Sequence, residues 1–134
     1  MASMARQLQI GRQRLLVAHP DADYVARIGK QFRQLGWEVH SAASEGDIRR
    51  VTRAVSPAVL VLATDFPAES GWLICAKLTR EHPGLQVILV GNSMTPDQVR
   101  FGAFAGGKAL LEQAHGMRAL IEEVYRAADL PMVG

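Results

Sequence analysis

The chain has 134 residues, of which 49% are hydrophobic and 21% are charged, and its formal net charge is +2. This length suits one domain, and the apolar share is large enough for a hydrophobic core and too large for a disordered chain. The small net charge excludes a strong nucleic-acid-binding field, and the single cysteine, Cys75, excludes an internal disulfide framework.

The first half of the chain alternates between short apolar runs and helical patterns. Leu15–Ala18 is a continuous apolar run, which is typical of a strand buried on both faces. Asp21 then serves as the N-cap of a predicted helix that ends at Gly36. A second strand is predicted over residues 37–42, and Ser44 is expected to cap a second helix.

The second half continues the same alternation. Pro57 breaks the second helix, and residues 58–63 form the most continuous buried-strand pattern of the chain. Thr95 followed by Pro96 predicts a helix N-terminus, because proline is favoured at the first helical position. The remaining strands are predicted at 87–90 and 109–111, and the remaining helices at 72–80, 95–105 and 117–127.

Five strands alternating with five helices predict one α/β domain with a doubly wound parallel sheet in the flavodoxin-like order 2-1-3-4-5. Helices should then cover both faces of the sheet. We expect the domain to span residues 13–128. Residues 1–12 are expected to be an N-terminal tail, and residues 129–134 a C-terminal tail or the start of a linker.

Several landmarks occur in an order typical of one known family. Leu35-Gly36-Trp37-Glu38-Val39 opens the second strand, Pro67 and Gly71 follow the third, and Ala105-Gly106-Gly107 precedes the fifth. This pattern, which runs from Arg14 to about Arg126, resembles the CheY-like receiver domain of bacterial response regulators. The resemblance implies a site at the carboxyl ends of the strands, where the family transfers a phosphoryl group to an aspartate.

The positions that carry this chemistry in the family are occupied differently here. The phosphoacceptor position falls on Ala63, and the metal-binding acidic pair falls on His19 and Pro20. The hydroxyl position falls on Gly91, and the lysine position falls on Gln113. Since phosphoryl transfer needs a cation and fixed donors around the transferring group, the resemblance implies a degenerate pocket that does not require Mg²⁺.

Two acidic residues leave a different interpretation open. Asp65 lies two residues after Ala63, and Asp21 lies two residues after His19, so a shifted site could use Asp65 as the acceptor and Asp21 as a metal ligand. The plainer interpretation is that Asp21 caps the first helix and Asp65 is a loop residue. A further hypothesis is that His19 hydrogen-bonds Asp65 and closes the pocket without a metal.

The fourth helix carries two aromatic residues where receivers usually carry polar ones. Phe101 and Phe104 are spaced to share one face, and Val99 and Ala103 are the expected core residues. Exposed aromatic side chains on one helix favour an interface for a partner. The rest of the predicted interface comprises Leu110 and a polar rim of Arg100, Lys108, Glu112 and Arg118.

These observations predict a phosphorylation-independent pseudo-receiver, a protein-interaction module in bacterial signalling or transcriptional regulation. It would bind another protein, or itself as a homodimer, through the fourth helix, fifth strand and fifth helix. The alternatives are a small-molecule binder that uses the emptied crevice and a divergent phosphoacceptor that uses Asp65. We expect a cytoplasmic protein that is not an enzyme, needs no cofactor, and contacts neither nucleic acid nor a membrane directly.

Overall fold

The computed structural model describes residues 13–66, 69–92 and 95–132, with the backbone alone described at residues 102–104. These ranges hold one sheet of five parallel strands in the order β2-β1-β3-β4-β5. The predicted fold class and strand order are therefore confirmed. The strands are β1 (Arg14–Ala18), β2 (Glu38–Ala42), β3 (Val59–Ala63), β4 (Gln86–Gly91) and β5 (Ala109–Glu112).

A helix follows each strand, as the alternation of sequence patterns predicts. A short 3-10 turn at Gln113–His115 joins β5 to the last helix. None of the helices in the described ranges is long and apolar enough to cross a membrane. The helices are α1 (Ala22–Gln34), α2 (Glu45–Val55), α3 (Gly71–Glu81), α4 (Pro96–Phe104) and α5 (Gly116–Ala127).

The predicted helix starts are built by side chains that accept hydrogen bonds from free backbone N–H groups. The Asp21 carboxylate accepts from the amides of Asp23 at 3.0 Å and Tyr24 at 3.3 Å. At α4, the Thr95 hydroxyl accepts from the Gln98 amide at 3.2 Å, while the Gln98 side chain accepts from the Thr95 amide at 2.9 Å. This reciprocal pair is a capping box.

The core lies in two layers because successive strand residues point to opposite faces of the sheet. One layer joins the sheet to α1 and α5 and contains Leu15, Val17, Val59, Val61, Ile88, Val90, Ile28, Phe32, Leu120 and Val124. The other joins it to α2 and α3 and contains Leu16, Leu60, Leu62, Val87, Leu89, Ile48, Ile74, Cys75 and Leu78. Burial of both faces explains why the three central strands, β1, β3 and β4, are almost wholly apolar.

The orientation of α4 differs from the sequence-based expectation. Val99, which was expected in the core, is 46% exposed, so that prediction is wrong. The side chain of Ala103 lies outside the described residues. Residues 95–101 are all exposed, whereas Ala105, just past the end of the helix, is buried. The first turns of α4 therefore stand away from the sheet, since the helix has no continuous apolar stripe to hold them down.

Candidate functional site

The carboxyl ends of four strands enclose a small crevice. Its volume is about 80 Å³. The sheet brings most of the residues predicted for the degenerate pocket together there, because parallel strands end at the same edge. The crevice is lined by His19, Pro20, Ala63, Asp65, Val90, Gly91, Asn92 and Gln113.

Close packing of α3 against the end of β3 fixes the floor of the crevice. Ala63 pairs with Val90 in the ladder, and the Thr64 amide donates to the Val90 carbonyl oxygen at 2.9 Å. The Gly71 amide donates to the Thr64 carbonyl oxygen at 2.9 Å. A Cβ atom on Gly71 would overlap the Ala63 carbonyl oxygen and lie 2.8 Å from Thr64 Cα. Only glycine therefore fits at the start of α3.

His19 is held at the mouth of the crevice by its neighbours, and burial favours its neutral form. Its Nδ1 accepts a hydrogen bond from the Asp21 amide at 3.0 Å, and its ring lies 4.7 Å from the Tyr24 ring, centroid to centroid. Burial lowers the pKa of His19 below its ordinary value of 6.5 and outweighs the opposing effects of a hydrogen bond with Gln113 and the charges of Asp21 and Asp65. An acceptor role for Nδ1 is consistent with the neutral imidazole.

The hypothesis that His19 closes the pocket through a hydrogen bond to Asp65 is wrong. Among the described residues, His19 accepts a hydrogen bond from the Asp21 amide, and Asp65 acts on it through charge alone. Asp65 is exposed at the rim. Gln113 reaches the imidazole because it directly follows the end of β5, beside β4.

The crevice offers little to a transferring phosphoryl group or to Mg²⁺. Ala63 presents a methyl group, Gly91 has no side chain, and Gln113 has a neutral amide. The Asp21 carboxylate is engaged in capping α1. Asp65 is the one carboxylate among the described lining residues, which include no lysine or arginine. The described part of the chain contains no group of three histidine, cysteine, aspartate or glutamate side chains that could hold a metal.

A second surface lies on the α2–α3 side of the sheet, between α3 and α4. Phe101 is 53% exposed and meets Trp72 edge to face, with ring centroids 5.9 Å apart. Phe101 also borders an open groove of about 340 Å³, whose remaining lining residues are Ala76, Thr79, Arg80, Ala105 and Gly106. The sequence placed Phe101 at the surface, but its contact with Trp72 depends on how the two helices dock.

The other residues of the predicted partner interface are spread over several parts of the structure. Arg100 forms an ion pair with Asp97 in its own helix, and Lys108 is exposed. Leu110 packs against the α2–α3 side of the core. Glu112 ends β5. The side chain of Phe104 lies outside the described residues.

Arg118 is separated from this group. It forms an ion pair with Glu122 of its own helix at 3.2 Å, and it lines a different groove together with Arg126 and Asp129. The predicted polar rim is therefore divided between the α3–α4 groove and the outer face of α5.

Comparison with solved structures identifies the fold. A CheY-like response regulator receiver domain protein from Methanospirillum hungatei JF-1 superposes with a TM-score of 0.83 at 20% identity, over 88% of this chain and 94% of that one. The BeF3-activated receiver domain of DrrB gives 0.79 at 22%, over 88% and 98%. Chemotaxis protein CheY4 of Vibrio cholerae gives 0.81 at 13%, over 87% and 98%.

This chain has the fold of a response-regulator receiver domain. The sequence itself matches no protein-family model and no curated protein. The likeness to the receivers therefore lies in the three-dimensional arrangement. In open α/β sheets, ligands bind beyond the carboxyl ends of the strands, and the crevice lined by Ala63 and Gly91 lies at that edge.

Proposed function

We propose that this chain is a phosphorylation-independent receiver-fold module that works by binding a protein partner in bacterial signalling or transcriptional regulation. The observation that carries the proposal is the composition of the crevice. It has the methyl group of Ala63 at the phosphoacceptor position, with Gly91 and Gln113 where a hydroxyl and a cation would be needed. These residues line the same crevice, so all of these departures from the receiver pattern affect one site.

Electrostatics support this proposal. Phosphoryl transfer develops charge on the transferring group, and catalysis consists mainly of positioning and stabilising that charge. The lining residues that replace the usual chemistry are neutral, and burial keeps His19 neutral near neutral pH by lowering its pKa. The carboxylate of Asp65 would repel a negatively charged phosphoryl donor, because the described lining residues include no lysine or arginine to offset its charge.

The size of the crevice bears on the alternative of small-molecule binding. Sites for small molecules commonly enclose roughly 300–1,000 Å³. The crevice, at about 80 Å³, is several times smaller. Its polar groups suit one or two ordered water molecules better than a metabolite. This difference favours protein binding at the surface over ligand binding at the strand ends.

The test is an amide NMR titration with Mg²⁺ and beryllofluoride, a mimic of the phosphoryl group. We expect no saturable shifts at Ala63, Asp65 and Gly91. The control variant is Asp65→Asn, which removes the one carboxylate from the described lining of the crevice. Saturable, Mg²⁺-dependent shifts that disappear in Asp65→Asn would establish the shifted phosphoacceptor site and overturn the proposal.

The partner surface is tested separately. We expect Phe101 and Phe104 of α4 to contribute to it, so replacing both by serine should abolish association with a partner or with a second copy. Phe101 is 53% exposed, and truncation of exposed side chains changes stability little, so the domain should stay folded. Unfolding of the double variant would show instead that these rings belong to the core.

A further inference from the structure

The groove between α3 and α4 has the dimensions of a binding site. Its volume of about 340 Å³ falls at the lower end of the range, roughly 300–1,000 Å³, that ligand sites enclose. It is open along one side, so an extended segment or one face of a helix can enter. The groove is also far larger than the crevice at the strand ends.

The floor of the groove is held in place by contacts between α3 and the residues that directly follow α4. The Cys75 thiol donates to the Ala105 carbonyl oxygen at 3.5 Å. The Thr79 hydroxyl donates to the Cys75 carbonyl oxygen at 2.8 Å, with the Ala105 carbonyl oxygen 3.3 Å away as a second acceptor. A Cβ atom on Gly106 would lie 2.6 Å from Thr79 Oγ1, so glycine permits this close approach. A floor fixed in this way needs little ordering when a partner binds.

One wall of the groove is apolar and remains exposed. Ala76 of α3 lines the groove. Leu73, which is 48% exposed, lies three residues before Ala76 and shares its helix face, so the apolar surface continues beyond the groove. Phe101 faces this stripe from α4 and is supported by its edge-to-face contact with Trp72. Aromatic side chains that are exposed and held in one orientation are frequent anchors of protein interfaces.

Positive charge accompanies the apolar wall. Arg80 continues the α3 stripe one turn after Ala76, lines the groove, and has no ion-pair partner among the described residues. Lys108, two residues beyond Gly106, is also exposed and unpaired within the described part of the chain. Two carboxylates on the flanking helices are already engaged, since Glu81 pairs with Arg49 at 3.4 Å and Asp97 pairs with Arg100.

We infer that the groove binds a segment of another protein that carries an apolar side chain next to an aspartate or glutamate. The apolar side chain would rest on Phe101 and Ala76, and the carboxylate would pair with Arg80. A second copy of this chain fits less well. In a two-fold dimer the same face meets itself, and the carboxylates on the flanking helices already have partners. The inference rests on the proposed function, that is, on protein binding as the activity of the chain.

The probe is a phage-displayed library of random peptides, panned on the complete chain. We expect the enriched peptides to combine a large apolar residue with an aspartate or glutamate. Synthetic copies should bind Phe101→Ser and Arg80→Glu at least about tenfold more weakly than the unchanged chain, as for a central contact of an interface. The matched control is Arg53→Glu, because Arg53 is an exposed arginine on α2 that does not line the groove. The affinity of this variant for the peptides should be unchanged.

Two further variants connect the effect to the stated contacts. Phe101→Leu keeps an apolar side chain and should retain binding, which separates loss of the contact from loss of the fold. A peptide whose carboxylate is replaced by lysine should regain affinity for Arg80→Glu. Failure to enrich any peptide, enrichment of peptides without carboxylates, or binding that ignores Phe101 and Arg80 would each overturn the inference.

The same experiments distinguish this inference from the proposed function. If Mg²⁺ and beryllofluoride change the peptide affinity, the groove is a binding site but phosphorylation independence is wrong. If no peptide binds and beryllofluoride causes no NMR shifts, the groove inference fails while the proposed function stands. Sedimentation velocity tests the remaining alternative, that a second copy of this chain occupies the groove. Self-association that Phe101→Ser abolishes would make a second copy the occupant and overturn the choice of partner.

Discussion

The indole Nε1 of Trp37 donates a hydrogen bond to the hydroxyl oxygen of Tyr125 at 3.1 Å, in the core and across 88 residues of sequence. The two rings lie 5.6 Å apart, centroid to centroid, and Phe32 meets Trp37 edge to face at 5.4 Å. The contact joins the approach to β2 with the last helix. It satisfies a buried donor that the aromatic core would otherwise leave unpaired.

Tyr125→Phe should lower the free energy of unfolding by about 1–3 kcal/mol, because it leaves the buried indole N–H without an acceptor. Urea denaturation followed by circular dichroism measures the change. Tyr24→Phe is the matched control. Its ring is likewise buried, but its hydroxyl makes no hydrogen bond among the described residues, so we expect a smaller loss. Equal losses in the two variants would contradict a special role for the Trp37 contact.

Two threonine hydroxyls differ in their hydrogen bonding, and replacing each threonine by valine should therefore affect stability differently. Among the described residues, the buried Thr52 hydroxyl of α2 has no hydrogen-bond partner, whereas the Thr79 hydroxyl donates to the Cys75 carbonyl oxygen at 2.8 Å. Thr52→Val keeps the shape of the side chain and should leave stability unchanged or raise it by up to about 1 kcal/mol. Thr79→Val should lower it by about 1 kcal/mol. Chemical denaturation of both variants checks the difference in sign, and destabilisation by Thr52→Val would show that its hydroxyl has a partner.

Gly71→Ala should destabilise the domain severely, by about 3 kcal/mol or more, because the new methyl group would overlap the backbone of Ala63. Gly46→Ala is the control within α2, where a Cβ would meet nothing within 4 Å. It should stabilise the chain by about 0.4–1 kcal/mol, since alanine restricts the unfolded chain. Thermal unfolding separates the two outcomes. A mild effect at Gly71 would mean that α3 can move away from β3.

The pKa of His19 makes stability depend on pH in a defined direction. Because burial lowers this pKa below 6.5 in the folded chain, the unfolded chain binds more protons as the pH falls through that value. The His19 contribution to the free energy of unfolding should therefore decrease below about pH 6.5, and it should stop changing once the pH is below the folded pKa. Above that window it should not vary with pH.

The measurement compares the unchanged chain with His19→Gln by chemical denaturation between about pH 8 and pH 5, the range in which histidine titrates. The difference in stability between the two should shift in favour of the variant as the pH falls. His115→Gln, which removes an exposed histidine outside the crevice, should leave the His19 contribution in place. A constant difference between His19→Gln and the unchanged chain would contradict the lowered pKa.

Much of the fold and of the crevice could be predicted from the sequence because the features concerned are local. A strand buried on both faces must be apolar throughout, as β3 is, and a capping side chain such as Asp21 lies within three residues of the amides that it satisfies. Parallel strands place their carboxyl ends at one edge. The positions of His19, Ala63 and Gly91 in one crevice follow from that rule.

Only the tertiary structure shows the burial and the contacts that depend on how elements distant in the sequence pack together. The sequence could not show that Val99 of α4 is exposed, because that helix has no apolar stripe that fixes its rotation. Nor could it show that His19 lies beside Gln113 in the crevice without a hydrogen bond to Asp65, or that Trp37 meets Tyr125. Each of these contacts joins residues far apart in the chain, and its energy depends on the relative placement of whole helices and strands, which no local pattern encodes.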